Sequence, residues 1–314
     1  MKRTIWLIGK YFLGFGLLLY LIFFSAKPAL IWNVLRHSSW PLVALSFSLH
    51  AIGLLISAIR WKLLLDEVNA PYSLPQLVRS YLVGTFFNHF LPTRFGGDVV
   101  RVADTRRIER GTVASLAVVT YERLSGIIAL LVFALVAAII KVNLIRELPL
   151  IRVALVISVL SFVLALIAWK AIPDRFFERF HFRRDWLQRL AALLAIFHGT
   201  LKNLLPKKKL LIKVMGWAFL LQLNVIIHYY IIGQALHLQR IPLTDYFFSV
   251  PLLMFVLSIP LTVNGIGIRD LFLIKFLSYY AYHPSYAVSF AILDVFFNLI
   301  LGIAGGIIYT LRKS

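Results

Sequence analysis

Apolar residues in this chain fall in long unbroken runs, without the alternation of a half-buried strand or the polar-backed stripe of a soluble helix. A helix rises 1.5 Å per residue, so about 17–25 apolar residues cross the roughly 30 Å of bilayer hydrocarbon. Six runs meet that length: Ile5–Phe24, Trp40–Ile59, Thr112–Ile140, Val153–Trp169, Leu210–Leu236 and Tyr286–Tyr309. Met1-Lys2-Arg3 ahead of the first run would also suit a signal peptide. The run is long for one, however, and Ser25-Ala26-Lys27-Pro28 is a poor cleavage site, so we read an uncleaved span.

Two apolar segments, Ser73–Leu91 and Asp245–Leu261, break differently, each running into proline, then glycine, then charge. Pro92 and Pro260, Gly97 and Gly265, and Arg101 and Arg269 all stand 168 positions apart. Three shared landmarks at one spacing, with matching hydropathy around them, indicate an internal duplication. We place the first repeat motif at about 73–140 and the second at about 245–309, within one membrane domain of residues 1–314.

Basic residues orient the spans, because cytoplasmic loops collect Lys and Arg. From Lys170 to Lys213 there are 11 basic residues, opposed only by Asp174, Glu178 and Asp185. That stretch is assigned to the cytoplasm, and its part from 170 to 209 reads as a basic amphipathic helix on anionic lipid. Arg94–Arg110 falls on the same side, and so do Arg60 and Lys62, read as closing the second span. Ser73–Leu91 then enters and leaves on one side, as a re-entrant hairpin or half-helix. Three full spans separate the copies, so the second faces the opposite way and both termini are cytoplasmic. The fold class expected is an all-α polytopic membrane protein of about six full spans, with two re-entrant or broken-helix segments in an inverted repeat.

Composition agrees. Hydrophobic residues make up 61%, charged residues 15%, and mean hydropathy is +0.86, which excludes a soluble enzyme and a disordered chain. The net charge of +20 suits loops facing anionic headgroups, so lipids rather than nucleic acid are the expected partners. With no cysteine, disulfides, thiol catalysis and Cys-based metal centres are excluded. No P-loop or G-x-S-x-G elbow occurs, and the 8 histidines show no ligand spacing; no cofactor, metal site or catalytic residue is expected.

The candidate chemistry lies in the two broken segments. Non-helical backbone at membrane depth must be buried in protein or line a watery cavity. Beyond Pro92, the amides around Gly96 and Gly97, with Asn88, Arg94 and Arg101, are suited to holding a lipid phosphate. A tight turn with arginines snorkelling to headgroups fits the same residues. Asp98, Glu122 and Arg123 are ionisable groups at membrane depth, where Glu122 could pair with Arg94, Arg101 or Arg123, either for function or for the fold alone. Gly265, Gly267, Arg269, Asp270 and Asp294 make the corresponding set in the second half, with Asn298 on the face of Asp294.

Leu91-Pro92-Thr93, Gly96-Gly97-Asp98, Arg101, the Glu122-Arg123 pair and Gly265-Ile266-Gly267-Ile268-Arg269-Asp270 resemble the membrane domain of bacterial lysylphosphatidylglycerol synthase/flippase proteins over essentially the whole chain. Asp270 stands where that family usually has Glu. The resemblance implies a stand-alone, flippase-like protein of the bacterial cell (inner) membrane, handling a phospho- or glycolipid between its repeats. In two-domain relatives a soluble domain attaches the amino acid. The chain ends at Ser314, soon after the last span, so lysyl transfer by it is not expected. A scaffold for a separately encoded lipid-modifying transferase, and a lipid-phosphate group-transfer enzyme, are the alternative readings.

Overall fold

The computed structural model describes residues 26–70, 72–90, 96–106, 111–140, scattered positions within 152–163, and residues 196–200, 202, 204, 207–258 and 267–312. The elements bounded among them are all helices: α1 (Pro28–Arg36), α2 (Trp40–Glu67), α3 (Leu74–Phe90), α4 (Gly96–Asp104), α5 (Gly111–Ile140), α6 (Lys208–Ala235), α7 (Leu243–Ser258), α8 (Ile268–Tyr279) and α9 (Pro284–Leu311). Four of these, α2, α5, α6 and α9, are long and apolar enough to cross a membrane. Their outward faces carry exposed Leu45, Ile52, Leu124, Leu135, Phe296 and Ile303, the side chains a lipid-facing surface requires. The expected span Ile5–Phe24 lies outside the described residues, and so does most of Val153–Trp169. Residues 170–195 of the amphipathic stretch, with Arg94 and Gly265, also lie outside them.

One boundary needs correction. The second span does not end at Ile59; α2 continues to Glu67 and buries Arg60 within it. The residue read as a loop charge is therefore part of the interior.

Polar pairs between helix ends divide the molecule into two levels. At one, Lys207 pairs with Glu67 at 2.5 Å and Arg312 with Asp104 at 2.8 Å. At the other, His237 Nε2 lies 3.0 Å from the His37 carbonyl, and Tyr280 donates to Asp245. The start of α3 and the end of α4 share the first level, where Gln76 and Arg79 line one cavity with Asp104 and Arg106. The start of α7 and the end of α8 share the second, joined by Asp245 and Tyr280. Each pair is a hairpin that turns back. At 17 and 16 residues, α3 and α7 rise only about 25 Å, short of the hydrocarbon thickness. Since the hairpins open at opposite levels, the repeat is inverted.

The duplication is wider than the sequence motifs. Helices α2 and α6, each 28 residues long, begin at 40 and 208 and end at 67 and 235, a constant separation of 168. Each repeat is thus a long helix, a broken hairpin and a second long helix: α2-α3-α4-α5 and α6-α7-α8-α9. Helix α2 packs along α6, α3 lies against α9, and α7 lies against α5. The first hairpin is therefore seated on the last helix of the other repeat, and the second on the last helix of the first.

Glycines permit the close crossings. A Cβ on Gly97 would meet the Gly84 carbonyl oxygen at 3.0 Å, where α4 folds back on α3, and one on Gly305 would meet the Leu82 carbonyl oxygen at 1.9 Å. The buried apolar residues described form two large clusters and a small third one of Ala26, Ile31 and Val288. Of the large ones, one is centred on Tyr246, Phe276 and Phe290 in the second repeat, and the other on Trp61, Leu77 and Val118 in the first.

Single cysteines report this topology without background, because the chain has none. Ser278→Cys is expected to react with an impermeant maleimide in intact cells, and Ser73→Cys only after the membrane is opened. Labelling of both under one condition would refute the inverted hairpins.

Candidate functional site

Where α2, α3, α4 and α5 meet, five charged side chains form a chain of alternating sign. Glu122, about three turns into α5 and on its buried face, accepts from Arg60 of α2 and Arg101 of α4, and from the Tyr81 hydroxyl at 2.9 Å. Arg101 continues to Asp98 at 3.4 Å, and Asp98 pairs with Arg123. Arg60, Arg101 and Glu122 are each less than 5% exposed. The Arg101 guanidinium also lies in the corner made by two perpendicular rings, 4.3 Å from the centre of Trp61 and 4.1 Å from that of Tyr81.

The local sequence explains the spacing. Asp98 and Arg101 are three apart on α4, so both face α5. Glu122 and Arg123 are adjacent, about 100° apart around α5, so one turns into the protein and the other towards its edge. Glu122 therefore pairs with Arg60 and Arg101, while half-buried Arg123 serves Asp98. Asn88 closes the hairpin, its Oδ1 accepting from the Gly97 N–H at 2.6 Å. Gly96 and Gly97 are buried at the start of α4. The three arginines outnumber the two carboxylates, and among the described residues Arg60 Nε and Nη1 and Arg101 Nε have no hydrogen-bond partner. The network carries a surplus positive charge.

The second repeat builds a counterpart. Arg269 donates to Asp294 of α9 at 2.8 Å, as Arg101 does to Glu122 of α5. Gly267, at φ 84° in the left-handed region, starts α8 and donates its N–H to Asp270 Oδ2 at 2.8 Å. Asn298 Nδ2 bonds the Asp294 carbonyl at 2.9 Å, which confirms the shared face. The structure therefore brings Asn88, Gly96, Gly97, Asp98, Arg101, Glu122 and Arg123 into one cluster, and Gly267, Arg269, Asp270 and Asp294 into another. In both, the carboxylates occupy the arginines at the distances a phosphate would need.

Sequence reasoning missed Arg60, Trp61 and Tyr81 at the first cluster, and Ser46, His50 and His228 at the second. Arg60 and His228 do carry a signal: they stand 168 positions apart, the separation of Arg101 and Arg269.

Two cavities flank the first hairpin. One, of about 380 Å³, is lined by Gln76, Arg79, Asp104, Arg106 and Arg312. The other, of about 600 Å³, runs between α4 and α5, with Asp98 and Arg123 at its polar edge and Val99, Leu116, Val119 and Ile127 as walls. Ala103 and Arg106 line both, so a basic basin adjoins an apolar cleft.

Residues 11–306 match the family model described as lysylphosphatidylglycerol synthase TM region. A UPF0104 membrane protein of Methanothermobacter thermautotrophicus is 26% identical over 291 residues, covering 85% of this chain and 84% of its own. A second match to a UPF0104 membrane protein of that organism is 33% identical over 108 residues, covering 34% of this chain and 30% of the relative. No solved structure matches.

Replacing Glu122 with Gln removes the counter-charge of buried Arg60 and leaves Arg101 only its longer contact to Asp98, a loss of about 3–5 kcal/mol for a buried pair broken on one side. A marked fall in the thermal midpoint in detergent is expected, with a much smaller one for Arg123→Ala at the half-exposed edge. Arg101→Lys keeps the charge but gives up the planar fork and its ring stacking, and should fall between them. Equal midpoints for Glu122→Gln and wild type would show that this carboxylate does not hold the hairpin.

Proposed function

This chain belongs to the family of the lysylphosphatidylglycerol synthase transmembrane region, and from that premise we propose that it binds an anionic, phosphate-bearing lipid and moves it between leaflets. The observation that carries the reading is the basic basin opening into an apolar cleft beside the first broken hairpin. A lipid phosphate is amphipathic in the same sense. Arg79, Arg106 and Arg312 face the basin against Asp104 alone, while the cleft walls suit an acyl chain.

The charge networks behind the cleft favour the same ligand. The first retains a surplus positive charge, and its half-exposed member, Arg123, lies on the cleft wall. An approaching phosphate meets Arg79, Arg106 and Arg123 at the basin and cleft, against the carboxylates of Asp104 and Asp98, each of which is already paired with an arginine. Arg101, stacked and doubly paired, acts on this reading as the part that fixes the hairpin, rather than as the first group to grip the headgroup. The inverted pair of broken hairpins gives a path with donors at both levels, as in transporters built from inverted repeats.

The test is reconstitution in liposomes with a fluorescent phosphatidylglycerol, reading transbilayer movement by external quenching. Wild type should exceed protein-free liposomes. Each basin arginine near the membrane surface contributes about 1 kcal/mol, so the double variant Arg79→Gln/Arg106→Gln should weaken lipid capture roughly 30-fold. Movement no faster than in empty liposomes, or unaffected by the double variant, would overturn the reading.

A further inference from the structure

The two charge clusters share a core, one carboxylate between two basic side chains, and differ in the second of those side chains. In the first, Glu122 lies between Arg60 and Arg101. In the second, Asp294 lies between Arg269, paired at 2.8 Å, and His228, whose Nε2 stands 3.9 Å from Asp294 Oδ1. Arg101 corresponds to Arg269 and Arg60 to His228, at the constant separation of 168. A permanent cation in one half is a titratable one in the other.

The surroundings of His228 fix which nitrogen titrates. Its Nδ1 lies 2.9 Å from the Ser46 carbonyl oxygen, which only accepts, so Nδ1 carries a hydrogen. The Ser46 hydroxyl sits 2.8 Å from the same nitrogen and donates to the His228 carbonyl at 3.1 Å. In the neutral ring Nε2 then offers only a lone pair. That atom is buried, has no hydrogen-bond partner among the described residues and faces a carboxylate oxygen. Two acceptors opposed in a dry interior call for a proton between them. His50 completes the arrangement. Its ring lies 5.1 Å from that of His228, and its nitrogen, the His228 nitrogen and an Asp294 oxygen lie within 4.8 Å of one another. Unlike His228 it is only half-buried.

The charges facing the site point the same way. Helix α2 presents His50 and Ser46, α6 Tyr229, α8 Arg269 and Asp270, and α9 Asp294 and Asn298. With His228 neutral, Arg269 faces two carboxylates and the cluster carries a net negative charge; a proton on Nε2 brings it to zero. Among groups at membrane depth that balance is strongly favoured.

We propose that His228, with Asp294 as its counter-charge and His50 at its half-buried edge, is a proton-binding site. A proton from the aqueous phase bonds to the Nε2 lone pair and converts the ring to imidazolium, and its loss restores the neutral ring. A divalent ion on the same three ligands is disfavoured, because Arg269 already holds the Asp294 carboxylate. The site is independent of whether the chain moves lipid, and its test reads no transport.

The experiment is the thermal midpoint of the full chain in detergent between pH 5 and pH 9, with and without zinc, for wild type and three variants. Imidazolium attracts Asp294 in the folded protein, so this contribution is present at low pH and lost as pH rises through the His228 titration. A fall of about 2–4 °C in wild type is expected. His228→Arg, which copies the first cluster, should lack that fall, and so should His228→Gln, which serves if the arginine does not fit. Asp294→Asn should lack it too, since the counter-charge is gone. The same fall in every variant would overturn the proposal. So would zinc raising the wild-type midpoint at high pH but not that of His228→Gln, which would make the site a metal site.

Discussion

A carboxylate placed at membrane depth has to be met by positive charge, and most of this architecture follows from meeting it twice. Glu122 on α5 cannot remain in hydrocarbon alone; it draws Arg60 from α2 and Arg101 from α4. Those three side chains come from three helices, so satisfying one ion fixes the mutual placement of all three. The Tyr81 hydroxyl adds α3 to the same point. The buried network contributes specificity more than net stability, since desolvation offsets much of the attraction. Its value is that only one seating of the hairpin leaves no charge stranded.

The hairpins also need close backbone approach, which the charges alone would not give. Gly84 and Gly97 let α3 and α4 touch, and Gly305 lets α9 pass over α3 at Leu82. The charge network and these small residues act on the same pairs of helices. One sets the register along the helix axes and the other sets the separation between them. Without hydrophobic driving force between helices in lipid, this combination of polar links and tight packing is what remains to hold a bundle together.

Much of this was legible before any coordinates. The fold class followed from the apolar runs. The re-entrant character of 73–91 followed from its proline, glycine and charge, together with the parity of basic loops. Arg101 could be named as one of three candidate partners of Glu122, and Arg269 and Asp294 as members of the corresponding set, but the pairings themselves came from the structure. Arg60 was misread for a physical reason: a basic residue at the end of an apolar run is normally a loop charge, and only the counter-charge on α5 keeps it inside α2. The histidines were missed because a cluster drawn from α2, α6 and α9 has no spacing in one dimension. His50 and His228 are 178 positions apart, whereas a motif search sees only neighbours.

The two halves, alike in chain path, are unlike in openness, and that difference bears on how a duplicated membrane protein can work. Around the first hairpin lie cavities of about 380 and 600 Å³, while the void between the second hairpin and its neighbours is about 10 Å³ and lined by Tyr229, Tyr246, Phe272 and Phe276. Among the described residues, open space borders the first hairpin and aromatic side chains pack against the second. Inverted repeats make the converse arrangement available to the same sequence, since each hairpin rests on the last helix of the other repeat and the two seats are built alike. An exchange between them needs the two clusters to differ in some energetic term, because a conformational equilibrium moves only when something interacts differently with its two states. Arg60 and His228 stand at corresponding positions, a guanidinium in one repeat and an imidazole in the other. The pairing of Arg60 with Glu122 in one half and of His228 with Asp294 in the other is such a difference in interaction between the two seats.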